Sequence, residues 1–498
     1  MRTFSKYIAI VSVFCFLGCE NDFLSEEPRK QASIETAEHL EALINNAPLF
    51  VFDGGSGVGS HDATSVFSTD DVEISLNLYE NNPNNFRIDD LLHYTYKIDE
   101  IRTLPSDAYY SGEYRKIFHA NLVLEQLDKV SGDQALKDDL RANAHFIRAY
   151  SYWILVNHYA LPYANGINEE ELGLTLKTTT LYEEPLARAT LKETYDFILA
   201  DLQEAMKTTR VEVDPDMPWR VSKKAVAAML SRYYLFIGNY DEALTMANSA
   251  LESNVVQLMD FKTLSPGRPR VLSNPPDTLR YSELHDYGQR NIIYWKEFYM
   301  PRATRNLMQQ WYPSGDLISL YDQSNDLRYK WLMIPNGARE VGIVDPPTYN
   351  YVYFFTRRHI PTGPSIAEML LNKAEILARK GDVGGALEAL NILRDKRLEN
   401  PDPIITGNQD EAIMEVLEER RREMPYTIRW YDIRRFSIND YPGDDVTVSR
   451  TFFQVNAGNV NTNVTEEYTL APGSRRYAVP LNIIEISSSE GQIQPNEY

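Results

Sequence analysis

Apolar positions recur at three- and four-residue spacing along most of this chain, and that period predicts a mainly α-helical fold. Ala37, Leu40, Leu43 and Ile44 mark a first amphipathic helix. Tyr110, Tyr114, Ile117, Leu124 and Leu127 mark another, and a longer stripe runs from Leu136 through Ala144, Tyr150 and Ile154 to Leu161-Pro162. Thr190-Leu-Lys-Glu193 reads as a capping box, in which hydroxyl and carboxylate each accept from a backbone N–H. It opens a helix carrying Leu191, Tyr195, Ile198, Leu202 and Ala205, and Ser222 caps the next, with Ala225, Met229, Tyr233 and Ile237. Glu411 to Glu423 is a charged helix that ends near Pro425; short strand candidates follow in turn-rich sequence, with Tyr477-Ala-Val-Pro480 near the end.

Two stretches repeat each other. Leu235-Phe-Ile-Gly238-Asn-Tyr-Asp-Glu-Ala243-Leu244 reads as helix, glycine turn, helix, and Leu377-Ala-Arg-Lys-Gly381-Asp-Val-Gly-Gly-Ala386-Leu387 keeps glycine and alanine in register. Glycine permits the left-handed turn and alanine the close approach of the two helices. The pattern resembles a tetratricopeptide hairpin. Gly238 and Gly381 lie 143 residues apart, so a contiguous solenoid is not expected, and the helices around 109–161 are candidates for further hairpins.

Between the copies, residues 260–363 change character. Prolines crowd in, from Pro266 and Pro269 to Pro346-Pro347 and Pro361, beside Trp295, Tyr299, Trp311, Tyr312, Tyr329 and Trp331, and Tyr349 to Phe355 is strand-like. A loop-rich excursion of this length is unusual without a function. The helical frame is expected to support, and this region to act.

The N-terminus carries an address. Arg2 and Lys6 precede an apolar run, Tyr7 to Leu17, which is shorter than the roughly 20 residues a bilayer span needs. It reads as a secretory signal over residues 1–18. Phe16-Leu17-Gly18-Cys19 resembles a lipobox, which makes Cys19 the lipidation site and residues 19–30 a polar tether; the plain alternative is an ordinary signal with an incidental cysteine. Cys15 is the only other cysteine, so the mature chain has no thiol left for a disulfide and must be held by its core. The formal charge of −21 argues against nucleic acid and against adhesion to anionic lipid through a basic patch.

Catalytic signatures are weak. No His-Glu-x-x-His or Gly-x-Ser-x-Gly occurs, and His119, His145 and His158 read as packing histidines on helices. The glycine loop at 54–60 ends in Ser60 where a dinucleotide motif needs glycine, and Ser60-His61-Asp62 are neighbours that cannot form a triad. Asp70-Asp71 and Asp89-Asp90 read as solvated surface. Aromatics carry the better signal: with 32 Tyr, 19 Phe and 6 Trp, rings can stack on the C–H face of a sugar while Asn, Asp and Arg bind its hydroxyls. Asn291 to Tyr299 and Asn306 to Tyr312 have that composition, and packing beneath the excursion is the equal alternative.

With these pieces assembled, the chain resembles the SusD/RagB family. The resemblance rests on Cys19 followed by Phe23-Leu24-Ser-Glu-Glu-Pro28, on Tyr114 to Asn121 with its Ala120-Asn121 pair, and on Ala144 to Pro162. It continues through Ala374 to Arg394, Glu419-Arg420-Arg-Arg-Glu423 with Arg429-Trp-Tyr-Asp432-Ile-Arg-Arg435, and Val479-Pro480 with Gln494-Pro-Asn496. One departure stands out: Met-Pro-Tyr-Thr-Ile links Glu423 to Arg429 where the family usually carries Glu-Gly in a longer link.

The resemblance implies a SusD-like fold with tetratricopeptide-like hairpins at the back and irregular loops carrying the ligand. It implies one domain over 31–498, with an N-terminal part to about 220, a RagB/SusD part from 221, and the excursion at 260–363. Ligand-binding candidates are Trp295, Tyr299, Trp311 and Tyr312, with Asp71, Tyr79 and Phe86 from early loops. Truncating Trp295 or Trp311 is expected to weaken binding and leave folding intact. Glu419, Arg420, Glu423, Arg429, Asp432 and Arg435 are expected to form a partly buried ion network, and Arg148 to behave likewise. The implied function is a lipid-anchored, cell-surface lid that captures glycan and delivers it to a SusC-like, TonB-dependent outer-membrane barrel, without catalysis, cofactor or metal. The alternatives are a RagB-like peptide binder, a secreted helical glycosidase, or a periplasmic scaffold whose groove is lined by residues 223–251 and 365–397.

Overall fold

The structure, a computed structural model, describes residues 34–54, 64–103, 107–181, 183–263, 266–271, 278–282, 292–305, 311–335, 349–351, 359–456 and 458–498. Cys19, the tether, the glycine loop beyond Gly54 and Ser60-His61-Asp62 lie outside those residues. The periodic stripes become α1 (Ala37–Ile44), α3 (Ala108–Gln126), α4 (Gln134–Tyr159), α5 (Leu191–Ala205), α6 (Lys223–Phe236) and α7 (Tyr240–Leu251), and the short α2 (Leu76–Asn81) forms where the sequence shows no stripe. After the excursion come α8 (Ile366–Arg379), α9 (Val383–Arg397), α10 (Gln409–Glu423) and α11 (Thr427–Phe436).

The start signals work as the sequence reads them. Thr190 Oγ1 accepts from Glu193 N at 3.1 Å while Glu193 Oε2 accepts from Thr190 N at 2.8 Å. Ser222 Oγ accepts from Ala225 N at 3.2 Å. The two hairpin turns need glycine: φ is +78° at Gly238 and +85° at Gly381, with Ala243 and Ala386 fully buried between their helices.

The hairpins stack. α3 packs on α4, α4 on α5, α5 on α6, α6 on α7, and α7 on α8, which pairs with α9 and α10. The two glycine-turn copies, separated along the chain by the excursion, are neighbours in space. Residues 223–251 and 365–397 therefore pack on each other.

The excursion supplies short antiparallel pairs: β1 (Pro266–Val271) with β2 (Thr278–Ser282), β3 (Ala303–Arg305) with β6 (His359–Pro361), and β4 (Met333–Pro335) with β5 (Tyr349–Tyr351). The tail carries longer strands than the sequence announces, β7 (Val448–Asn456) and β8 (Asn459–Leu470), which form a hairpin with a register shift after Phe453. Among the described residues no helix is long and apolar enough to cross a membrane.

Buried ion pairs bind the layers together. Arg232 of α6 grips Glu368 of α8 at 2.7 and 2.6 Å, and Arg435 of α11 grips Glu375 of α8 at 2.6 and 2.7 Å. Arg420 joins α10 to Asp432 at 2.7 Å and to Asn372 at 2.7 Å. Arg148 takes Asp201 with two nitrogens, each at 2.8 Å, and His145 shares that carboxylate at 2.7 Å. The charged motif is thus a network, and it is buried more deeply than the sequence reading allows.

At Glu375 burial pushes the carboxyl up, but Arg435 and Arg379 outweigh it and hold the group well below the usual range. A carboxylate stabilised this way adds stability that is complete above its unfolded value of 4.5 and is lost as pH falls below it. Glu375→Gln should cost about 3–5 kcal/mol at pH 7, because it removes the buried charge that Arg435 and Arg379 share and leaves them only Asp432 and Asp444. In urea titrations the wild-type advantage should shrink as pH drops below about 4.5; an advantage unchanged between pH 7 and 3 contradicts the assignment.

Candidate ligand-binding site

Five of the seven sequence-predicted residues meet in one cluster, built on the Asp70-Asp71 turn. Arg429 of α11 takes Asp70 with two nitrogens at 2.9 and 2.7 Å. Arg421 of α10 donates to Asp71 Oδ1 at 2.6 Å and to the Asp70 carbonyl at 3.0 Å. The Asp71 backbone carbonyl accepts from Ser314 N at 2.8 Å, and Glu73 N donates to the Tyr312 carbonyl at 3.0 Å, so the excursion is pinned to the same turn. This corrects the reading of these aspartates as solvated surface. Asp90 is corrected too: it is buried, with Arg87 donating to it at 3.1 and 2.7 Å.

The two aspartates share their charge unequally. Burial pushes Asp70 up, yet Arg429 and Arg421 prevail and hold it below the usual carboxylate range. At Asp71 burial prevails over Arg421, and the carboxyl is pushed up, with the Asp70 charge adding to the effect. Asp71 Oδ2 also accepts from the backbone N–H of Tyr426 at 2.7 Å. Tyr426 holds φ +70° and ψ −105°, a conformation expensive for any residue but glycine. It sits in the Met-Pro-Tyr-Thr-Ile link, so the Asp71 carboxylate helps fix the strained break between α10 and α11.

Rings pack around this turn. Trp311 lies 5.6 Å from Tyr426, Tyr312 lies 6.0 Å from Phe86, and Phe86 lies 5.8 Å from Tyr79. Tyr79 closes the cluster against Phe452 and Phe453 of β7 at 5.3 and 5.7 Å. Trp311 and Tyr312 are 1% and 2% exposed. These rings are a foundation, with no open face for a sugar in this conformation. Tyr299 is fully buried elsewhere and donates to the Ala250 carbonyl at 2.9 Å. Trp295 is 7% exposed, in the wall of a separate pocket.

What the foundation carries outward is polar. Ser75 caps α2 by accepting from Leu78 N at 3.1 Å, and Pro83 starts the 3-10 turn Pro83–Asn85 directly after it. This places Asn77, Glu80, Asn81, Asn82 and Asn84 along a partly or fully exposed rim, while Leu78, Tyr79 and Phe86 from the same segment are buried. Asn81 Nδ2 donates to the Asn77 carbonyl at 2.8 Å, and Asn82 Nδ2 to the Leu78 carbonyl at 3.2 Å, which orients those amides. Sequence reading missed this rim, although Glu80-Asn-Asn-Pro-Asn-Asn85 is legible as an amide-rich turn. Among the described residues no group of three or more His, Cys, Asp or Glu is placed to hold a metal ion.

The packing reverses one expectation. Trp311→Ala should destabilise the fold by about 3–5 kcal/mol, the usual range for emptying a core tryptophan site, and not act on ligand alone. Urea unfolding monitored by circular dichroism checks it; a loss below about 1 kcal/mol contradicts the buried placement.

Comparison with known proteins agrees with this architecture. Residues 22–235 match a family model described as starch-binding associating with outer membrane, and residues 366–498 match the model of the SusD family. The SusD-like proteins P38 and P2 of Formosa agariphila are 23% and 22% identical over 370 and 388 residues, which is 65% and 67% of this chain and 70% and 72% of theirs. The fold is similar to that of a SusD-like carbohydrate binding protein from Bacteroides vulgatus, with a TM-score of 0.62, 16% identity, and 92% and 97% of the two chains covered. It is also similar to a laminarin binding SusD-like protein, with a TM-score of 0.60, 16% identity, and 93% and 99% covered. The matched stretches take in the early helices, the first glycine-turn helix and the whole charged motif, and the shared fold spans the excursion between them: the chain belongs to the SusD/RagB family.

Proposed function

We propose that the protein is a lipid-anchored outer-membrane protein that captures oligosaccharide at the cell surface and passes it to a SusC-like, TonB-dependent barrel. The observation that carries the binding reading is the asparagine rim on its buried foundation. Each amide offers an N–H donor and a carbonyl acceptor side by side, which matches the adjacent hydroxyls of a sugar. The turn beneath is fixed by ion pairs and ring packing, so ligand need not pay to order it. Family membership supports a glycan ligand, and so does the fold shared with a laminarin binding SusD-like protein.

Binding is favoured over cleavage because a hydrolase needs two carboxylates facing one cleft. The adjacent aspartates that the sequence offers for that role are engaged instead, Asp70 and Asp71 by Arg429 and Arg421, and Asp90 by Arg87. Anchoring is supported by Cys19 in its lipobox-like setting, followed by a polar run to Lys30 that would leave a lid tethered yet free to swing. Exposed Glu80 in the rim would also suit a peptide amino group, so peptides form the second arm of the test.

Calorimetry of the soluble chain against laminari-, cello- and malto-oligosaccharides, and against peptides, should find a glycan ligand that is returned uncleaved. Asn81→Ala combined with Asn84→Ala should weaken that binding about tenfold, or 1.4 kcal/mol, at an unchanged melting temperature. Turnover of the ligand, or binding of peptides alone, contradicts the reading. In cells Cys19→Ala should leave the domain folded and cut uptake; uptake at the wild-type rate would mean that the protein works untethered.

A further inference from the structure

A concavity lies where the helical hairpins meet the excursion, and it shares no lining residue with the asparagine rim. Its volume is about 380 Å³, within the range of ligand pockets. Three segments wall it: the loop ahead of α6 with Val213 and Pro218, the chain after α7 with Val256 and Gln257, and the stretch from Ile293 to Phe298. The walls are braced from behind. Gln257 N donates to the Lys296 carbonyl at 2.9 Å. Buried Glu297 accepts from Met259 N at 2.7 Å and from Arg397 at 2.9 Å. The pocket is therefore preformed on the described residues.

Its mouth holds an aromatic that the core does not require. Tyr294 is 43% exposed, although Ile293 and Trp295 on either side of it are buried. Trp219 stands edge-on to it, with centroids 6.5 Å apart and planes at 76°. The indole is fixed in that position, because Trp219 Nε1 donates to Asn45 Oδ1 at 3.2 Å. Tyr294 is thus the exposed ring of a largely apolar lining, with Trp219 beside it and outside the wall. The polar side chains of the lining, Gln257 and Lys296, are both exposed.

A pyranose divides in the same way, into a face of C–H groups and a rim of hydroxyls. Tyrosine can stack on the former, while an amide and an ammonium can bond the latter. We propose that this pocket is a second saccharide subsite, seating one pyranose with its C–H face on Tyr294 and its hydroxyls toward Gln257 and Lys296. The proposal rests on the reading of the protein as an oligosaccharide binder. Two subsites on one molecule favour long chains over short ones, since the second contact with the same chain is intramolecular.

Affinity electrophoresis through gels containing laminarin, amylopectin or xylan tests it, comparing wild type, Tyr294→Phe and Tyr294→Ala. Tyr294 is exposed, so both variants should melt with the wild type. The polysaccharide that retards the wild type should retard Tyr294→Phe equally and Tyr294→Ala at least threefold less. Equal retardation of Tyr294→Ala and wild type overturns the subsite while leaving the binder reading in place. Wild type unretarded by all three, and silent in calorimetry, removes the binder reading and the subsite together. Retention on immobilised casein peptides that Tyr294→Ala abolishes, with glycan retardation intact, also overturns the subsite.

Discussion

A guanidinium does not lose its proton inside a protein, so every arginine the fold buries must bring acceptors with it. That constraint organises the molecule. Arg328 sits among Asp326, Glu419 and Glu423, and Arg397 between Glu297 and Glu423, so excursion and late helices cannot separate without stranding charge. Arg421 and Arg429 do the same for the Asp70-Asp71 turn, across sequence separations of 350 and 359 residues. Removing one partner of such a pair leaves an unpaired buried ion, at about 3–5 kcal/mol, which makes these joints all-or-none.

Arg434 meets the constraint without any carboxylate. It donates to the Ala160 carbonyl at 2.7 Å, to that of Val156 at 3.3 Å, and to that of Tyr477. Val156 lies in the last turn of α4, its carbonyl also accepting from Ala160 N at 3.3 Å, and Ala160 caps the helix, so the guanidinium sits at the end of α4 that favours a cation. Burial without a counter-ion pulls its pKa down to about 10. The C-terminal signature completes the same corner: Asn496 Nδ2 donates to the carbonyls of Tyr159 and Val479 at 3.0 and 2.9 Å, and Arg188 donates to Asn496 Oδ1 at 2.8 Å. These polar residues close the fold.

The sequence showed what is local. Helix stripes, the Thr190 box, the Ser222 cap and both glycine turns depend on neighbours within about four residues, and all are readable at that range. Which carboxylate meets which arginine depends on tertiary approach, so Asp70 and Asp71 looked like surface although a chain burying this many arginines needs interior acceptors. Composition also cannot tell a ring that turns its face to the core from one that turns it to water. Trp311, Tyr312, Tyr79 and Phe86 read as ligand-facing rings in the sequence, yet in the fold they pack together beneath an asparagine-rich turn. Tyr294 was passed over beside Trp295, because exposure alternates along that segment and only the fold decides which ring faces out.

Foundation and rim are therefore separate: buried ion pairs and aromatics hold a turn, and the exposed amides on that turn are the proposed contacts to sugar. A crystal structure of the chain soaked with an oligosaccharide that it binds tests this most directly. Density for sugar against Asn77 to Asn84, with Trp311 and Tyr312 still packed beneath and untouched, is the expected result. Sugar stacked on the face of Trp311 or Tyr312, with the cluster opened around it and the asparagines bare, would contradict it.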